Sequence, residues 1–229
     1  GRQARQSALL RGQEVVTIPN PIDTRMFCPK SQKEARQRAG LITDKQLILF
    51  VSQRVTDKRK GIDFLIEAVG KLIEARPELK DHLGVAILGG QSEAITDNLP
   101  LPVYSLGYVS DEKRLVDIYN SANVFVLPSL EDNLPNTIME SMACGVPCIG
   151  FRVGGIPEMI DHKMNGYVAE FKDASDFAAG LFWVLHEADH DELRRNAVQK
   201  VQSKYSQTYV SQRYIEVYNQ ALAIKEFHL

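Results

Sequence analysis

Short apolar runs alternate with amphipathic stretches along most of this chain, and this alternation constrains the fold more than any other sequence feature. Short apolar runs are typical of buried strands in a parallel sheet, whereas apolar residues at helical spacing predict helices that cover such a sheet. The pattern therefore predicts an α/β fold, a Rossmann-like parallel sheet with helices on both faces. The predicted strands are 13–18, 47–51, 85–88, 103–106, 124–127, 147–150 and 166–168. The predicted helices are 31–39, 62–75, 111–121, 135–144, 155–161, 174–188, 191–203 and 207–225.

Length and composition indicate one globular α/β domain with an ample core, since the chain has 229 residues, of which 44% are hydrophobic and 24% charged. The formal net charge of −2 gives no positive field, so we expect no nucleic acid partner. Three cysteines are too few, and odd in number, for a disulfide framework, which favours a reducing, cytoplasmic compartment. No apolar run approaches the ~20 residues of a membrane span.

Residues 128–147 place two carboxylates, Asp132 and Glu140, across a predicted loop-to-helix junction that follows the strand 124–127. Pro135 is suited to a first helical turn, where its missing N–H is not needed. The unpaired N–H groups of a helix start attract anions such as phosphate. We therefore expect one carboxylate at the loop and the other about two turns along the helix, facing the same cleft.

Two cations follow the predicted strand 47–51. Arg54 comes directly after this strand, and Lys60 lies in a basic loop that leads into the helix 62–75. A guanidinium gives planar, bidentate contacts to phosphate and an ammonium gives a point charge. Because ligands of parallel sheets bind at the carboxyl ends of the strands, these groups predict a site for a diphosphate with a polyol attached.

Taken together, these segments resemble the C-terminal, donor-binding half of the retaining GT-B glycosyltransferases, also called glycosyl transferases group 1 or family 4. The resemblance covers roughly residues 14–168, and its segments occur in the family's order. They are 16–23 (Val-Thr-Ile-Pro-Asn-Pro-Ile-Asp), Arg54 with Lys60 and Gly61, 106–109 (Leu-Gly-Tyr-Val), 128–147, and 154–158 (Gly-Gly-Ile-Pro-Glu).

The resemblance implies a role for each candidate residue. Arg54 and Lys60 would neutralise the nucleotide diphosphate and stabilise its departure, and Asp132 would accept hydroxyls of the donor sugar. These three are the predicted catalytic residues. The implied nucleotide- and donor-binding residues are Tyr108 and Val109 at the base, Asn133, Leu134 and Asn136 with backbone N–H groups at sugar and phosphate, Pro135 within the same loop but without an N–H, Thr137 at phosphate, and Glu140 at the ribose hydroxyls.

The chain departs from the family pattern at the first acidic position. The family usually has a Glu there, whereas this sequence has Asp132 with Glu131 directly before it. Asp is one methylene shorter, so either the loop lies closer to the sugar or Glu131 takes the position. The sequence leaves both alternatives open, as it does the base, sugar and acceptor.

The resemblance implies transfer of a sugar from a UDP- or GDP-linked donor to an acceptor hydroxyl, with retained anomeric configuration, in polysaccharide or glycolipid biosynthesis. We expect no cofactor and no metal, because Arg54 and Lys60 supply the charge at the diphosphate. The saccharide or glycolipid acceptor would bind an N-terminal domain outside this chain. We therefore expect the isolated domain to be inactive alone, and any membrane contact of the full-length protein to be peripheral.

The same resemblance divides the chain. Residues 1–12 are expected to be the remnant of a preceding domain or linker, and the Tyr-rich closing segment 205–229 to pack on the N-terminal domain. Two other function classes remain open. One is a nucleotide-sugar epimerase of related two-domain build, and the other a non-catalytic nucleotide-sugar-binding module.

Two further motifs favour structural interpretations. Residues 186–190 match the H-E-x-x-H zinc pattern on a predicted helix, where both histidines could share a face, yet no third ligand is apparent. Surface histidines are the favoured interpretation. Cys144 and Cys148 lack the C-x-x-C spacing of a redox or zinc pair, so we expect them to be small buried packing residues.

Overall fold

A six-stranded parallel sheet forms the centre of the computed structural model, which describes residues 5–10 and 13–226. The strands lie in the order β3-β2-β1-β4-β5-β6, and all neighbouring pairs are parallel. This is the order of a doubly wound Rossmann sheet. The strands are β1 Gln46–Arg54, β2 Leu83–Gly90, β3 Val103–Gly107, β4 Val124–Leu127, β5 Cys148–Phe151 and β6 Gly166–Ala169.

Helices connect the strands and cover the sheet. The α-helices are α1 Gln32–Ala39, α2 Ile62–Ala75, α3 Glu112–Ser121, α4 Asn136–Ala143, α5 Ile156–Met159, α6 Ala174–Phe182, α7 His190–Lys204 and α8 Gln207–Glu226. Three short 3-10 helices, Lys58–Lys60, Pro77–Asp81 and Ser92–Asn98, and a π-helical turn, Trp183–Glu187, complete the helical segments that the structure describes between residues 32 and 226.

Two buried apolar clusters lie on opposite faces of the sheet, because successive strand side chains point to opposite sides. Leu47 and Leu49 of β1 join the cluster under α3, α4 and α7. Ile48 and Phe50 of the same strand join the cluster under α2 and α6. The strands are therefore buried on both faces, which is why they consist of near-continuous apolar runs.

The predicted α/β fold and six of its seven strands are confirmed. The predicted strand 13–18 is wrong, because that segment has irregular backbone and is largely exposed. Val15, Val16 and Ile18 give a strand-like pattern, but in the described residues neither edge strand, β3 or β6, pairs with the segment. The predicted helix 174–188 is also shorter, since α6 ends at Phe182 and the π-helical turn follows.

The two ends of the chain are described in part. Of the predicted preceding remnant, residues 1–4 and 11–12 lie outside the described residues, as do 227–229 of the closing segment. The described closing helix, α8, buries Val210 and exposes Tyr214, Ile215, Tyr218 and Leu222. Within the described part of the chain, no helix is both long and apolar enough for a bilayer crossing.

Candidate functional site

The candidate residues collect where the sheet reverses its winding direction. β1 lies between β2 and β4, so the connection from β1 runs to one side of the sheet and the connection from β4 runs to the other. Arg54 ends β1, Lys60 ends the 3-10 turn after it, and Asp132 lies in the loop after β4. Open parallel sheets bind ligands at the carboxyl ends of their strands at such a switch point.

An ion pair joins the basic loop, residues 55–61, to the acidic loop, residues 128–135. Lys60 Nζ lies 2.9 Å from Asp132 Oδ2, with the two side chains 31% and 14% exposed. The carboxylate that contacts Lys60 is thus that of Asp132, and the neighbouring Glu131 is exposed. Arg54 is also exposed, whereas Arg59 forms an ion pair at 2.8 Å with Asp57 of its own loop. The structure thus brings Lys60 and Asp132 into contact and leaves Arg54 open to solvent at the strand end.

Close backbone contacts hold the two loops in place. The N–H of Leu130 donates to the carbonyl oxygen of Arg59 at 2.8 Å. Gly154 has a φ of +57°, and a Cβ there would lie 1.6 Å from the carbonyl oxygen of Asp132. A Cβ at Gly155 would lie 1.9 Å from the carbonyl oxygen of Asn133. The acidic loop can therefore approach the β5–α5 turn only because both positions are glycine.

The N-terminus of α4 is open to a ligand. Pro135 is buried and occupies the N-cap, one position before the helical turn in which the sequence placed it, and no side chain caps the helix. Asn136 and Thr137 form the first turn, and the Asn136 side chain accepts from Asn20 Nδ2 at 3.4 Å. Asn133 and Leu134 lie in the loop that leads into this helix. Backbone N–H groups of an uncapped first turn are suited to an anion.

Glu140 lies one turn along α4, not two as predicted, and lines a cavity of about 380 Å³. Asp132 is not among the residues that line this cavity, so the expectation that both carboxylates face one cleft is not met by it. Its Oε2 accepts from the hydroxyl of Tyr119 in α3 at 2.7 Å. Burial raises the pKa of Glu140, and the Tyr119 hydrogen bond opposes this increase. One carboxylate oxygen is thus fixed by Tyr119.

Residues 20–27, called here the strap, form one wall of this cavity. The strap is held at the start of α8, because the N–H of Ile22 donates to the carbonyl oxygen of Tyr205 at 2.8 Å and the N–H of Gln207 donates to that of Ile22 at 3.2 Å. The cavity is lined by Pro21, Ile22, Asp23, Met26, Phe27, Glu112, Asn136, Met139, Glu140 and Gln207.

Tyr108 and Val109 are not brought to this cavity. They follow β3, which is separated from β1 by β2, and neither is among the residues that line the cavity. Tyr108 is 71% exposed and Val109 is partly buried. Their predicted contact with a base stays a prediction.

Sequence reasoning missed Tyr119 and the strap as parts of this site, and it gave Gly154 and Gly155 no role beyond their place in the resemblance. The first half of the strap, residues 20–23, did belong to a segment that the resemblance used, residues 16–23. Tyr119 carried no comparable signal, because a tyrosine among apolar positions of a helix is typical of a core residue.

The histidine motif and the two cysteines occupy positions that indicate structural rather than functional roles. Ala188 has extended backbone, so the prediction that His186 and His190 share one helix face is wrong. His190 Nε2 instead lies 2.8 Å from the carbonyl oxygen of Asn123. Cys144 and Cys148 are fully buried, as predicted, and burial raises the pKa of both thiols, that of Cys148 to about 12.

Comparison with known proteins identifies the family to which this chain is similar. A family model described as Glycosyl transferases group 1 matches residues 45–187, which include Arg54, Lys60, Asp132 and Glu140. A D-inositol 3-phosphate glycosyltransferase from Thermobifida fusca is 32% identical over 184 residues. These residues make up 76% of this chain and 42% of that protein, so the chain spans less than half of this relative's length.

Solved structures share the fold. Sucrose-phosphate synthase from Thermosynechococcus elongatus superposes with a TM-score of 0.78 at 24% identity, covering 96% of this chain and 57% of that chain. Alr3699/HepE from Anabaena, in complex with UDP-glucose, superposes with a TM-score of 0.74 at 18% identity, covering 95% of this chain and 62% of that chain. At these identities the likeness establishes a shared fold, that of the GT-B glycosyltransferases.

The close approach at Gly154 yields a stability prediction with a matched control. Gly40 has a similar φ of +76°, but a Cβ there would meet no atom within 4 Å. Gly40→Ala should therefore lower the free energy of unfolding by roughly 1–2 kcal/mol through backbone strain alone. Gly154→Ala should cost about 1–3 kcal/mol more, because the acidic loop must also move. Urea denaturation of both variants measures the difference, and equal losses would contradict the close approach.

The burial of Glu140 predicts that its ionised carboxylate lowers the free energy of unfolding in a pH-dependent way. Because its pKa is raised in the folded state, the ionised carboxylate destabilises the fold, and this cost develops as pH rises from the unfolded value of about 4.5 through the folded pKa. Glu140→Gln removes the charge. The free energy of unfolding of this variant, relative to that of the unmodified protein, should therefore increase as pH rises through that range. Urea denaturation between pH 3.5 and 7 measures this. Glu74→Gln, at an exposed carboxylate of α2, is the control and should leave the pH dependence unchanged.

Proposed function

This chain belongs to the glycosyl transferases group 1 family, and from that premise we propose that it is the nucleotide-sugar-binding domain of a retaining, hexosyltransferase-type glycosyltransferase. The domain would hold a nucleotide diphosphate sugar for transfer to an acceptor hydroxyl. The observation that carries the proposal is the contact of Lys60 with Asp132 at the switch point of the sheet. It joins a cation suited to phosphate to a carboxylate suited to sugar hydroxyls.

The diphosphate is proposed to lie between the basic loop and the start of α4. Lys60 and the exposed Arg54 supply two positive charges, and the uncapped first turn, with Thr137, supplies N–H and hydroxyl donors. Charge-assisted contacts of this kind stabilise the negative charge that develops on the leaving diphosphate. These groups would do the work of a divalent metal, so we propose transfer without one.

The two parts of the donor that carry hydroxyls, the transferred sugar and the ribose, are each assigned to one carboxylate. Asp132 would accept from hydroxyls of the sugar once Lys60, its partner in this structure, contacts the diphosphate. Glu140 would accept from both ribose hydroxyls, since an ionised carboxylate is an acceptor only. Asn133, Leu134, Pro135 and Asn136 would line the path between them, and Tyr108 and Val109 would contact the base.

The acceptor is proposed to bind a part of the full-length protein outside this chain. The described residues form one Rossmann-like unit, and the chain spans 42% of its T. fusca relative. The exposed apolar side chains of α8 would pack on that remaining part. We place the reaction in cytoplasmic polysaccharide or glycolipid biosynthesis, with a UDP- or GDP-linked donor and at most peripheral membrane contact.

Nucleoside diphosphate binding tests the phosphate site. Arg54→Ala and Lys60→Ala should each weaken the binding of UDP or GDP by ~1.5–3 kcal/mol, because each removes a charge-assisted hydrogen bond. Lys71→Ala, at an exposed lysine of α2 that pairs with Glu67, is the charge-matched control and should leave the affinity unchanged. Isothermal titration calorimetry measures all three. Unchanged affinity in both site variants, with the fold intact, would rule out the assigned phosphate site.

The two carboxylates should respond to different parts of the ligand. Glu140→Gln should weaken UDP more than pyrophosphate, because only UDP carries a ribose. Asp132→Asn should weaken the nucleotide sugar and spare UDP. Competition titrations with UDP, UDP-glucose and pyrophosphate measure both effects. If Glu131→Gln rather than Asp132→Asn weakens the sugar nucleotide, Glu131 occupies the first acidic position.

Sugar transfer should require the rest of the protein. Positioning an acceptor hydroxyl against the anomeric carbon can contribute ~7–11 kcal/mol to lowering a barrier, and the acceptor side is assigned to the part outside this chain. A radiolabelled-donor assay should detect transfer with the full-length protein and none with the 229-residue chain. Equal rates for both would contradict the two-domain interpretation.

A further inference from the structure

Tyr119 is a buried side chain that none of the assigned roles uses. It is 1% exposed, and its ring packs edge-on against Phe27 at 6.4 Å and Phe125 at 6.0 Å. These contacts need only an aromatic ring, so phenylalanine would satisfy them equally well. The hydroxyl adds a polar group to a fully buried position, which costs free energy unless it is hydrogen-bonded.

The hydroxyl partner is the functional carboxylate. Tyr119 donates to Glu140 Oε2 at 2.7 Å, a usual distance for an O–H···O hydrogen bond. Burial raises the pKa of Tyr119 well above its ordinary value, so the hydroxyl keeps its proton and remains a donor. Since the ring is fixed by its aromatic neighbours, the bond fixes the carboxylate as well.

Glu140 needs this support because of where it lies. It is partly buried, and its pKa is raised by burial and, more weakly, by the charge of Glu112 at the start of α3. Asp23 of the strap also borders the cavity, and Cys144 lies nearby, directly after α4. The Tyr119 hydroxyl opposes the pKa increase caused by burial and by Glu112, and it favours the ionised carboxylate.

We propose that Tyr119 is a positioning residue that sets the ribose selectivity of the site by holding Glu140 in place as an oriented acceptor. This rests on the proposed function, in which Glu140 accepts from the ribose hydroxyls. Orientation before binding matters because a carboxylate that is already fixed loses little rotamer freedom when the nucleotide arrives. Tyr119 itself touches no part of the ligand in this arrangement.

Tyr119→Phe tests the proposal because it keeps the ring and removes only the hydroxyl. UDP affinity should fall about five- to tenfold, whereas pyrophosphate affinity should change less than about twofold. The loss should grow as pH falls from 7.5 towards 4.5, since the raised pKa of Glu140 rises further when its donor is removed. Protonation of UDP itself affects both proteins equally, so it cancels in the ratio of the variant's affinity to that of the unmodified protein. Isothermal titration calorimetry across this pH range measures both.

Two comparisons separate positioning from general damage. In a Glu140→Gln background, Tyr119→Phe should have no further effect on UDP, because its target is gone. Tyr104→Phe is the matched control, since the Tyr104 hydroxyl donates to Thr43 at 3.0 Å and lies outside the cavity. It should leave both affinities and the pH profile unchanged.

A second variant covers the case in which Tyr119→Phe does not fold. Phe125→Leu loosens the ring of Tyr119 without touching its hydroxyl or the cavity lining, and it should also weaken UDP more than pyrophosphate. If the unmodified chain binds UDP and pyrophosphate equally, the assignment of Glu140 to the ribose is overturned, and this inference with it. If Glu140→Gln weakens UDP but Tyr119→Phe and Phe125→Leu leave affinity and pH profile unchanged, only the role of Tyr119 is overturned.

Discussion

The parallel pairing of β1 with β4 at the centre of the sheet is the constraint on which the candidate site depends. Ile48, Leu49 and Phe50 pair with Val124, Phe125 and Val126, so the two strands end at the same edge. The loops that follow carry Lys60 and Asp132, which meet across 2.9 Å. Because the paired residues are buried on both faces, core packing fixes the register and the register fixes the distance between the loops.

Local sequence predicted the parts of the fold that depend on local periodicity. Six strands and the helices between them follow from apolar spacing, whereas the segment 13–18 had the spacing but no neighbouring strand in the described residues. The charged candidate residues could be predicted for the same reason, since each lies in a segment that follows a predicted strand. Tyr119 was not, because its role depends on a partner 21 residues away in another helix, and its own position is typical of core.

The site also contains features that oppose stability. The α4 N-terminus lacks a side-chain cap, and Glu140 keeps a carboxylate in a partly buried position where burial disfavours its charge. Each is unfavourable locally, and the buried clusters on both sheet faces must offset them. Such groups retain hydrogen-bonding capacity for a ligand: the open N–H groups are suited to phosphate, and the carboxylate, although it accepts from Tyr119, is suited to further hydroxyl donors.

Rigid and adjustable parts of the site are therefore separated along the proposed ligand. At the proposed ribose end, Glu140 is held by a buried tyrosine whose ring cannot turn without disturbing Phe27 and Phe125. At the proposed sugar end, Asp132 is held by Lys60, a long side chain that is 31% exposed and would exchange its carboxylate for the phosphate of the proposed donor. A fixed nucleotide end and an adjustable sugar end suit a donor whose bond must break between the two. The nucleotide can stay anchored while the contacts around its diphosphate change.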